Sequence, residues 1–283
     1  MKIGVVVCSN SGLDYLEYDK SIKIMRCALN IEQDTFYDYV DISAEDFYER
    51  ITNNKNLKIS TSQPTTGEMI DILEGFKKDG HTDVIVITIS SKLSGTLSGM
   101  HVAASMVEGI NVHLFDSKSL GYCEAYLAIT AAKMAKENKK PNEIIEVLEN
   151  LRKNAKIYVC VDTLHYLMLN GRLSTLNGVL GTMLQIKPLL HVDSEGTLTT
   201  LEKIRTKQKS VARVIELVLE EIKDKKVVLF AAPTNNLEEA TQALEEIASR
   251  TNATVVDKVY APLTPVVGCH AGPKTFGIGF IIV

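Results

Sequence analysis

The segment Val84-Ile85-Val86-Ile87-Thr88-Ile89, followed directly by Ser90-Ser91-Lys92-Leu93-Ser94-Gly95-Thr96, carries the clearest fold signal in this chain of 283 residues. Its first part is an uninterrupted apolar run rich in β-branched residues, which predicts a buried strand. Its second part is rich in hydroxyl groups and precedes a stretch that is typical of a helix. Open α/β folds place ligand sites where a strand ends at its carboxyl side. The segment therefore predicts an α/β fold with a binding site after this strand.

A second hydroxyl-rich stretch, Ser60-Thr61-Ser62-Gln63-Pro64-Thr65-Thr66, lies earlier in the chain and is also predicted to be a turn before a helix. Hydroxyl groups and free backbone N–H groups at a helix start bind anions such as a carboxylate or a phosphate. The plainer interpretation is that these Ser and Thr residues only cap helices. Two such stretches in one half of the chain favour a binding role.

Strand-like runs alternate with amphipathic segments of helical period through the first half of the chain. This alternation is typical of a mainly parallel sheet covered by helices. The predicted elements are strand 2–7, a helix within 44–53, helix 66–78, strand 83–89, helix 95–107, strand 111–115, helix 121–137 and a helix that begins at Pro141.

The pattern changes after about residue 155, where a hairpin precedes a β-α-β segment. The predicted elements are strand 156–161, helix 164–169, a strand over 183–190, a hairpin turn at 191–196, return strand 198–204, helix 206–222, strand 226–231, helix 237–249, strand 254–259 and strand 277–283. A hairpin followed by β-α-β indicates a second α/β domain with a mixed sheet. We therefore expect two domains, residues 1–155 and 156–283, that meet near Lys153–Lys156.

Composition excludes several classes of protein. A net charge of −4 argues against nucleic-acid binding, which requires a dense basic surface. No apolar run of about 20 residues is present, so no membrane span is expected, and residues 1–7 are expected to form a strand rather than a signal peptide. The five cysteines and six histidines are scattered, without CxxC or HExxH spacing. We expect a cytoplasmic protein without a metal or a cofactor.

Further motifs occur in the second half of the chain: Asp162-Thr163-Leu164, Gly171-Arg172-Leu173-Ser174, Lys187-Pro188-Leu189-Leu190, and the ten residues from Gly268 to Gly277. Together with the two hydroxyl-rich stretches, their order and spacing resemble the DegV family of fatty-acid-binding proteins. That family includes the acyl-carrying subunits of bacterial fatty acid kinase. The resemblance runs from Ile3 to about Ile282.

The resemblance implies two α/β domains with a lipid site between them, and a palmitate-like ligand. The threonine of the family's Thr-Ser-Gln-Pro motif falls on Thr61, and the serine of its Leu-Ser-Gly-Thr segment falls on Ser94; both are expected to hold the carboxylate. His270, expected in a loop among glycines, is implied to lie near that carboxylate. The resemblance also implies that Arg172 and Arg205 serve a partner kinase or phosphoryl transfer. Otherwise Arg172 caps helix carbonyls and Arg205 belongs to a solvated basic face.

The hydrocarbon tunnel has candidate residues, although helical apolar stripes are usually plain core. They are Leu164–Leu169 and Val179, Leu180, Met183, Leu184 and Ile186. Two positions depart from the family pattern. Cys8-Ser9 replaces the usual Asp-Ser after the first strand, which puts in doubt any polar network there. Lys274 replaces a glycine of Gly-Pro-Gly-Thr, and it either strengthens carboxylate binding or points to solvent.

The leading hypothesis is a non-enzymatic carrier that presents a fatty acid to a kinase, which then makes an acyl phosphate. One alternative is a phosphotransferase or kinase-like enzyme that acts on a small polyol, because the hydroxyl-rich stretches also suit phosphate. The other is an interaction module without a ligand. A P-loop at Gly268–Thr275 is rejected, because Pro273 removes a needed N–H group and a strand rather than a helix is predicted to follow.

Overall fold

The protein is described from a computed structural model that defines residues 2–172 and 187–283. This part of the chain forms two α/β domains, as predicted, and also a small third sheet that the sequence pattern does not predict. The predicted strand 183–190 is defined only from Lys187 onward. The tunnel candidates Val179, Leu180, Met183, Leu184 and Ile186 lie outside the described residues.

A four-stranded parallel sheet forms the N-terminal domain. Its strands, in spatial order, are β2 (Ile22–Met25), β1 (Ile3–Cys8), β6 (Asp83–Thr88) and β7 (Asn111–Asp116). Helices α2 (Thr66–Lys78) and α3 (Thr96–Ser105) cover one face, α4 (Tyr122–Lys136) covers the other, and α5 (Pro141–Lys153) packs on α4. All six residues of β6 are buried, which explains why its sequence is apolar without alternation.

A six-stranded mixed sheet forms the C-terminal domain. Its strands, in spatial order, are β10 (Leu198–Glu202), β9 (Leu189–Val192), β8 (Ala155–Cys160), β13 (Phe276–Ile282), β11 (Lys226–Pro233) and β12 (Thr254–Tyr260). Strands β11 and β12 pair parallel, and the other neighbours pair antiparallel. Helices α7 (Lys207–Ile222) and α8 (Leu237–Arg250) cover one face. The mixed character of this sheet confirms the prediction.

The other face of the mixed sheet packs toward the first domain. Val159 and Phe230 of this sheet belong to the same buried cluster as Tyr122 and Leu127 of α4 and Val7 of β1. One hydrophobic core therefore joins both sheets through α4. This core is shared by both domains, so it does not mark where one domain ends and the other begins. The domain boundary at residues 155–156 therefore remains a prediction.

The third sheet corrects one interpretation of the sequence. Strands β3 (Ala28–Ile31), β4 (Asp34–Tyr37) and β5 (Ile59–Ser62) form an antiparallel sheet in the order β4-β3-β5. The prediction that the whole Ser60–Thr66 stretch is a turn is wrong, because Thr61 lies in β5 and pairs with Leu29. Strand pairing thus overrides the turn character of these residues. The later half of the stretch does lead into a helix, since Thr65 caps α2.

The segment around His270 corrects a second interpretation. His270 lies in a short helix, α9 (Pro265–Ala271), rather than in a loop. Pro265 occupies the first helical turn, where a missing N–H group costs nothing. Gly268 is needed inside the helix, since a Cβ atom there would lie 2.1 Å from the hydroxyl oxygen of Tyr48. The helix ends at Gly272, whose φ is 78°.

Candidate binding site

A cavity lies between the two domains, beyond the carboxyl ends of β1 and β6. The space inside it that is open to a water-sized sphere measures about 110 Å³, and it lies within a wider region of about 890 Å³ that includes open solvent. The apolar part of its wall consists of Ile89, Leu93, Leu120, Val159, Val161, Leu167, Leu190, Leu198, Leu263, Val266, Val267 and Ala271. Leu167 comes from helix α6 (His165–Leu169), within the predicted tunnel stretch. Both domains thus contribute to one apolar chamber.

Thr61 and His270, which are far apart in the sequence, meet at the wall of this cavity. Thr61 Oγ1 on β5 and His270 Nε2 on α9 are 2.9 Å apart and share a hydrogen bond. Burial, together with the nearby charge of Arg172, lowers the pKa of His270 to about 4. The imidazole is therefore neutral at physiological pH. Its Nδ1 atom is buried and has no hydrogen-bond partner among residues 2–172 and 187–283.

Ser94 lines the same cavity and is held by the turn that follows β6. The carbonyl oxygen of Ser90 accepts hydrogen bonds from the backbone N–H groups of Leu93 and Ser94. Ser94 Oγ lies 2.9 Å from Thr96 Oγ1 and accepts a hydrogen bond from the Thr96 backbone N–H. The first residues of α3 are therefore fixed around this hydroxyl group.

Gln63, which sequence reasoning did not single out, links the two hydroxyl-rich stretches. It lines the cavity, and its side chain packs against the first turns of α3. A Cβ atom at Gly95 would lie 2.7 Å from Gln63 Oε1, and one at Gly99 would lie 2.6 Å from Gln63 Nε2. The two glycines provide the space for this side chain. Their spacing beside a hydroxyl-rich turn is the sequence signal that could have revealed the contact.

The two predicted arginines lie in different environments. Arg172 lines the cavity and donates a hydrogen bond to the carbonyl oxygen of Asn170, while its backbone N–H donates to Leu167 near the end of α6. Its charge also acts on His270 and Cys269. Arg205 is exposed between β10 and α7 and does not line the cavity. The structure thus brings Arg172, but not Arg205, to Thr61, Ser94 and His270.

The two departures from the family pattern have distinct surroundings. Lys274 is exposed, with a φ of 57°, and its carbonyl oxygen accepts a hydrogen bond from Lys207. It does not line the cavity. Cys8 is buried at the end of β1, and its backbone N–H donates to the carboxyl group of Glu124, a fully buried residue of α4. Sequence reasoning missed Glu124, because a single Glu in an Ala-rich helix carries no signal of burial.

Some classes of site are absent from the described ranges 2–172 and 187–283. Among these residues, no three His, Cys, Asp or Glu side chains are grouped as metal ligands. Within the same ranges, no helix has the length and apolar character needed to cross a membrane.

Comparison with known proteins identifies the family. A family model described as an uncharacterised protein of the DegV family matches residues 2–283. A DegV domain-containing protein of Staphylococcus aureus is 33% identical over 99% of this chain and 98% of its own length. The crystal structure of DegV from Bacillus subtilis, described as a fatty acid binding protein, is 30% identical with a TM-score of 0.89 and full coverage of both chains. A DegV lipid binding protein from Thermotoga maritima is 25% identical, with a TM-score of 0.86 over 100% of this chain and 99% of that one. This chain therefore belongs to the DegV family.

Proposed function

We propose that this protein binds one long-chain fatty acid, of about the length of palmitate, in the cavity between its two domains. The observation that carries the proposal is the cavity itself, whose wall is mostly apolar but includes Thr61, Ser94 and His270. The similar Bacillus subtilis structure, described as a fatty acid binding protein, supports the same ligand class. On this proposal the protein sequesters its ligand and does not itself catalyse a reaction.

The hydrocarbon tail supplies most of the affinity. Each buried methylene contributes about 0.8 kcal/mol, so a chain of about fifteen contributes roughly 12 kcal/mol before costs. Lost translational and rotational freedom offsets a good part of this gain. Leu93, Val159 and Leu190 are examples of the apolar side chains that a tail would contact.

The carboxylate head group determines the orientation of the ligand. Burying an unpaired carboxylate is costly, so it must meet hydrogen-bond donors. Thr61 and Ser94 are the proposed hydroxyl donors. Neutral His270 carries one ring N–H group, and with that proton on Nε2 it donates to Thr61 Oγ1 and leaves the Thr61 O–H group for the ligand. Arg172, which also lines the cavity, supplies a favourable positive charge. The tail would then extend among the apolar residues of the mixed sheet.

The direct test is mass spectrometry of an organic extract of the purified protein. Co-purified acids of about sixteen to eighteen carbons, released in a near-equimolar amount, support the proposal. Phosphorylated metabolites would instead support an enzyme that acts on a small polyol. An empty extract, together with no binding of added palmitate in a calorimetric titration, would contradict the proposal and leave an interaction module.

We further propose that the bound acid is presented to a partner kinase, which phosphorylates its carboxylate, in a reducing cytoplasm. Arg205 supports the partner role because it is exposed and lies outside the cavity. The compartment is supported by the five cysteines, which are all buried free thiols. The test is formation of acyl phosphate when the loaded protein is mixed with a fatty acid kinase and ATP.

A further inference from the structure

The short 3₁₀ turn Ser9–Ser11, directly after β1, carries a polar side chain into the cavity wall. Asn10 lines the cavity although only 3% of its surface is exposed to solvent. As assigned, its Oδ1 atom is buried and has no hydrogen-bond partner within residues 2–172 and 187–283. A buried amide oxygen without a partner is costly, so its presence in a cavity wall calls for an explanation.

The other end of the Asn10 amide meets Glu124. The Nδ2 atom of Asn10 lies 2.5 Å from Glu124 Oε2, and Glu124 Oε1 accepts a hydrogen bond from the Cys8 backbone N–H at 3.4 Å. Glu124 is fully buried, and burial raises the pKa of its carboxyl group well above the usual value. Burial favours the neutral form of this carboxyl group, whose O–H group needs an acceptor.

One rotation of the amide resolves both observations. The oxygen and nitrogen atoms of an asparagine amide are exchanged by a 180° turn, and the hydrogen-bond network decides between the two orientations. After the turn, the O–H group of Glu124 donates to the Asn10 oxygen. The Asn10 NH₂ group then occupies the position of the unpartnered atom.

We propose that Asn10 is a further head-group ligand, whose amide oxygen is held by the carboxyl group of Glu124 and whose NH₂ group donates to the carboxylate of the bound acid. This inference rests on the proposed function. It adds a neutral donor from the N-terminal domain to the hydroxyl groups of Thr61 and Ser94.

The surroundings of the turn connect Asn10 to the elements that carry Thr61 and His270. The turn packs between α4, which carries Glu124, and α9, which carries His270. Ser9 Oγ accepts a hydrogen bond from the backbone N–H of Cys27, which also lines the cavity. The next residue, Ala28, pairs with Ser62 of β5, the strand that carries Thr61. The turn that carries Asn10 is therefore a neighbour of α9 and is linked to β5 through Cys27 and Ala28.

The test is a thermodynamic cycle in which the head group of the ligand and the side chain of Asn10 are each changed, alone and together. Affinities for hexadecanoate and hexadecan-1-ol are measured for the wild type and for Asn10→Ala. A hydrogen bond to a charged group is worth more than one to a neutral group, so the preference for the acid over the alcohol should fall about tenfold in the variant. A merely structural role of Asn10 would weaken both ligands equally and leave the preference unchanged, which would overturn the inference.

The control variant is Thr88→Val, which removes another buried and unpartnered polar atom without changing the cavity wall. It should leave the acid preference unchanged. If Asn10→Ala does not fold, the inference is tested by NMR on the wild type, through the resonances of the Asn10 side-chain NH₂ group. They should shift with hexadecanoate and much less with hexadecan-1-ol; equal shifts would overturn the inference. A wild type that binds neither ligand contradicts the proposed function itself.

Discussion

The two hydroxyl-rich stretches have similar composition but are held in different ways. In the Ser90–Thr96 turn, Ser94 is held by hydrogen bonds to Ser90 and Thr96 of the same turn. Within the described part of the chain, bonds to distant residues are made only at the start of the turn, by Ser90 and Ser91. In the other stretch, Thr61 is held by strand pairing with Leu29 and by the hydrogen bond to His270. Local structure therefore positions Ser94, whereas Thr61 depends on residues that are distant in the sequence. The two halves of one proposed head-group site should respond differently to perturbation.

The largest expected effect tests whether the Ser90 turn depends on its contact with a distant hairpin. Ser90 Oγ donates to the carbonyl oxygen of Gly196 at the β9–β10 hairpin, and a Cβ atom at Gly196 would lie 2.2 Å from that Oγ. Gly196 also has a φ of 84°. Gly196→Ala should therefore reduce the free energy of unfolding by about 3 kcal/mol, from strain plus a clash. Urea denaturation measures this loss.

The matched control for Gly196 is Gly80→Ala. Gly80 has a similar φ of 79°, but a Cβ atom added there would have no atom within 4 Å beyond its own chain neighbours. That substitution should cost only the backbone term, about 1 kcal/mol. Equal losses in the two variants would show that the hairpin does not restrain the Ser90 turn.

The next effect is the pH dependence of stability, and it arises from His270, the hydrogen-bond partner of Thr61. The pKa of His270 falls from 6.5 in a free chain to about 4 in the folded protein. Between these values the unfolded chain binds a proton that the folded protein does not, so stability decreases as pH falls from about 6.5 to about 4. The wild type should lose about 1.4 kcal/mol per pH unit in this window beyond the loss in His270→Gln. Identical pH dependence of the two proteins would show that His270 binds its proton equally well in the folded and the unfolded chain, which contradicts the lowered pKa.

A smaller effect is expected on ligand affinity when either of the two hydroxyl groups is removed. Thr61→Val keeps the β-branched shape that suits a strand, and Ser94→Ala keeps the turn. Each should weaken palmitate binding by about 1–3 kcal/mol, since a buried charged group then lacks a partner. Calorimetric titration measures both losses. Unchanged affinity in both variants would remove these hydroxyl groups from the proposed site.

The same comparison explains which features were predictable. The Val84–Ile89 run and the turn after it carry local signals of burial and capping, so the strand, the turn and the following helix were predicted correctly. Strands β3, β4 and β5 are four residues long and are fixed by pairing rather than by their own pattern. The contact of Thr61 with His270 spans 209 residues, and no local pattern encodes it. The burial of Glu124 is likewise a result of packing between the two sheets.

The smallest expected effect on ligand affinity is that of Arg205→Ala, which separates binding from presentation. Arg205 is exposed and lies outside the cavity wall, so its removal should leave palmitate affinity unchanged within about 0.5 kcal/mol. If this residue serves the partner kinase, acyl phosphate formation by a fatty acid kinase should nevertheless decrease. Arg250→Ala is the matched control, because Arg250 is an exposed arginine on α8 that pairs with Glu216 and Glu246. Equal rates in both variants would exclude Arg205 from the kinase contact, and a weakened affinity would mean that Arg205 reaches the ligand.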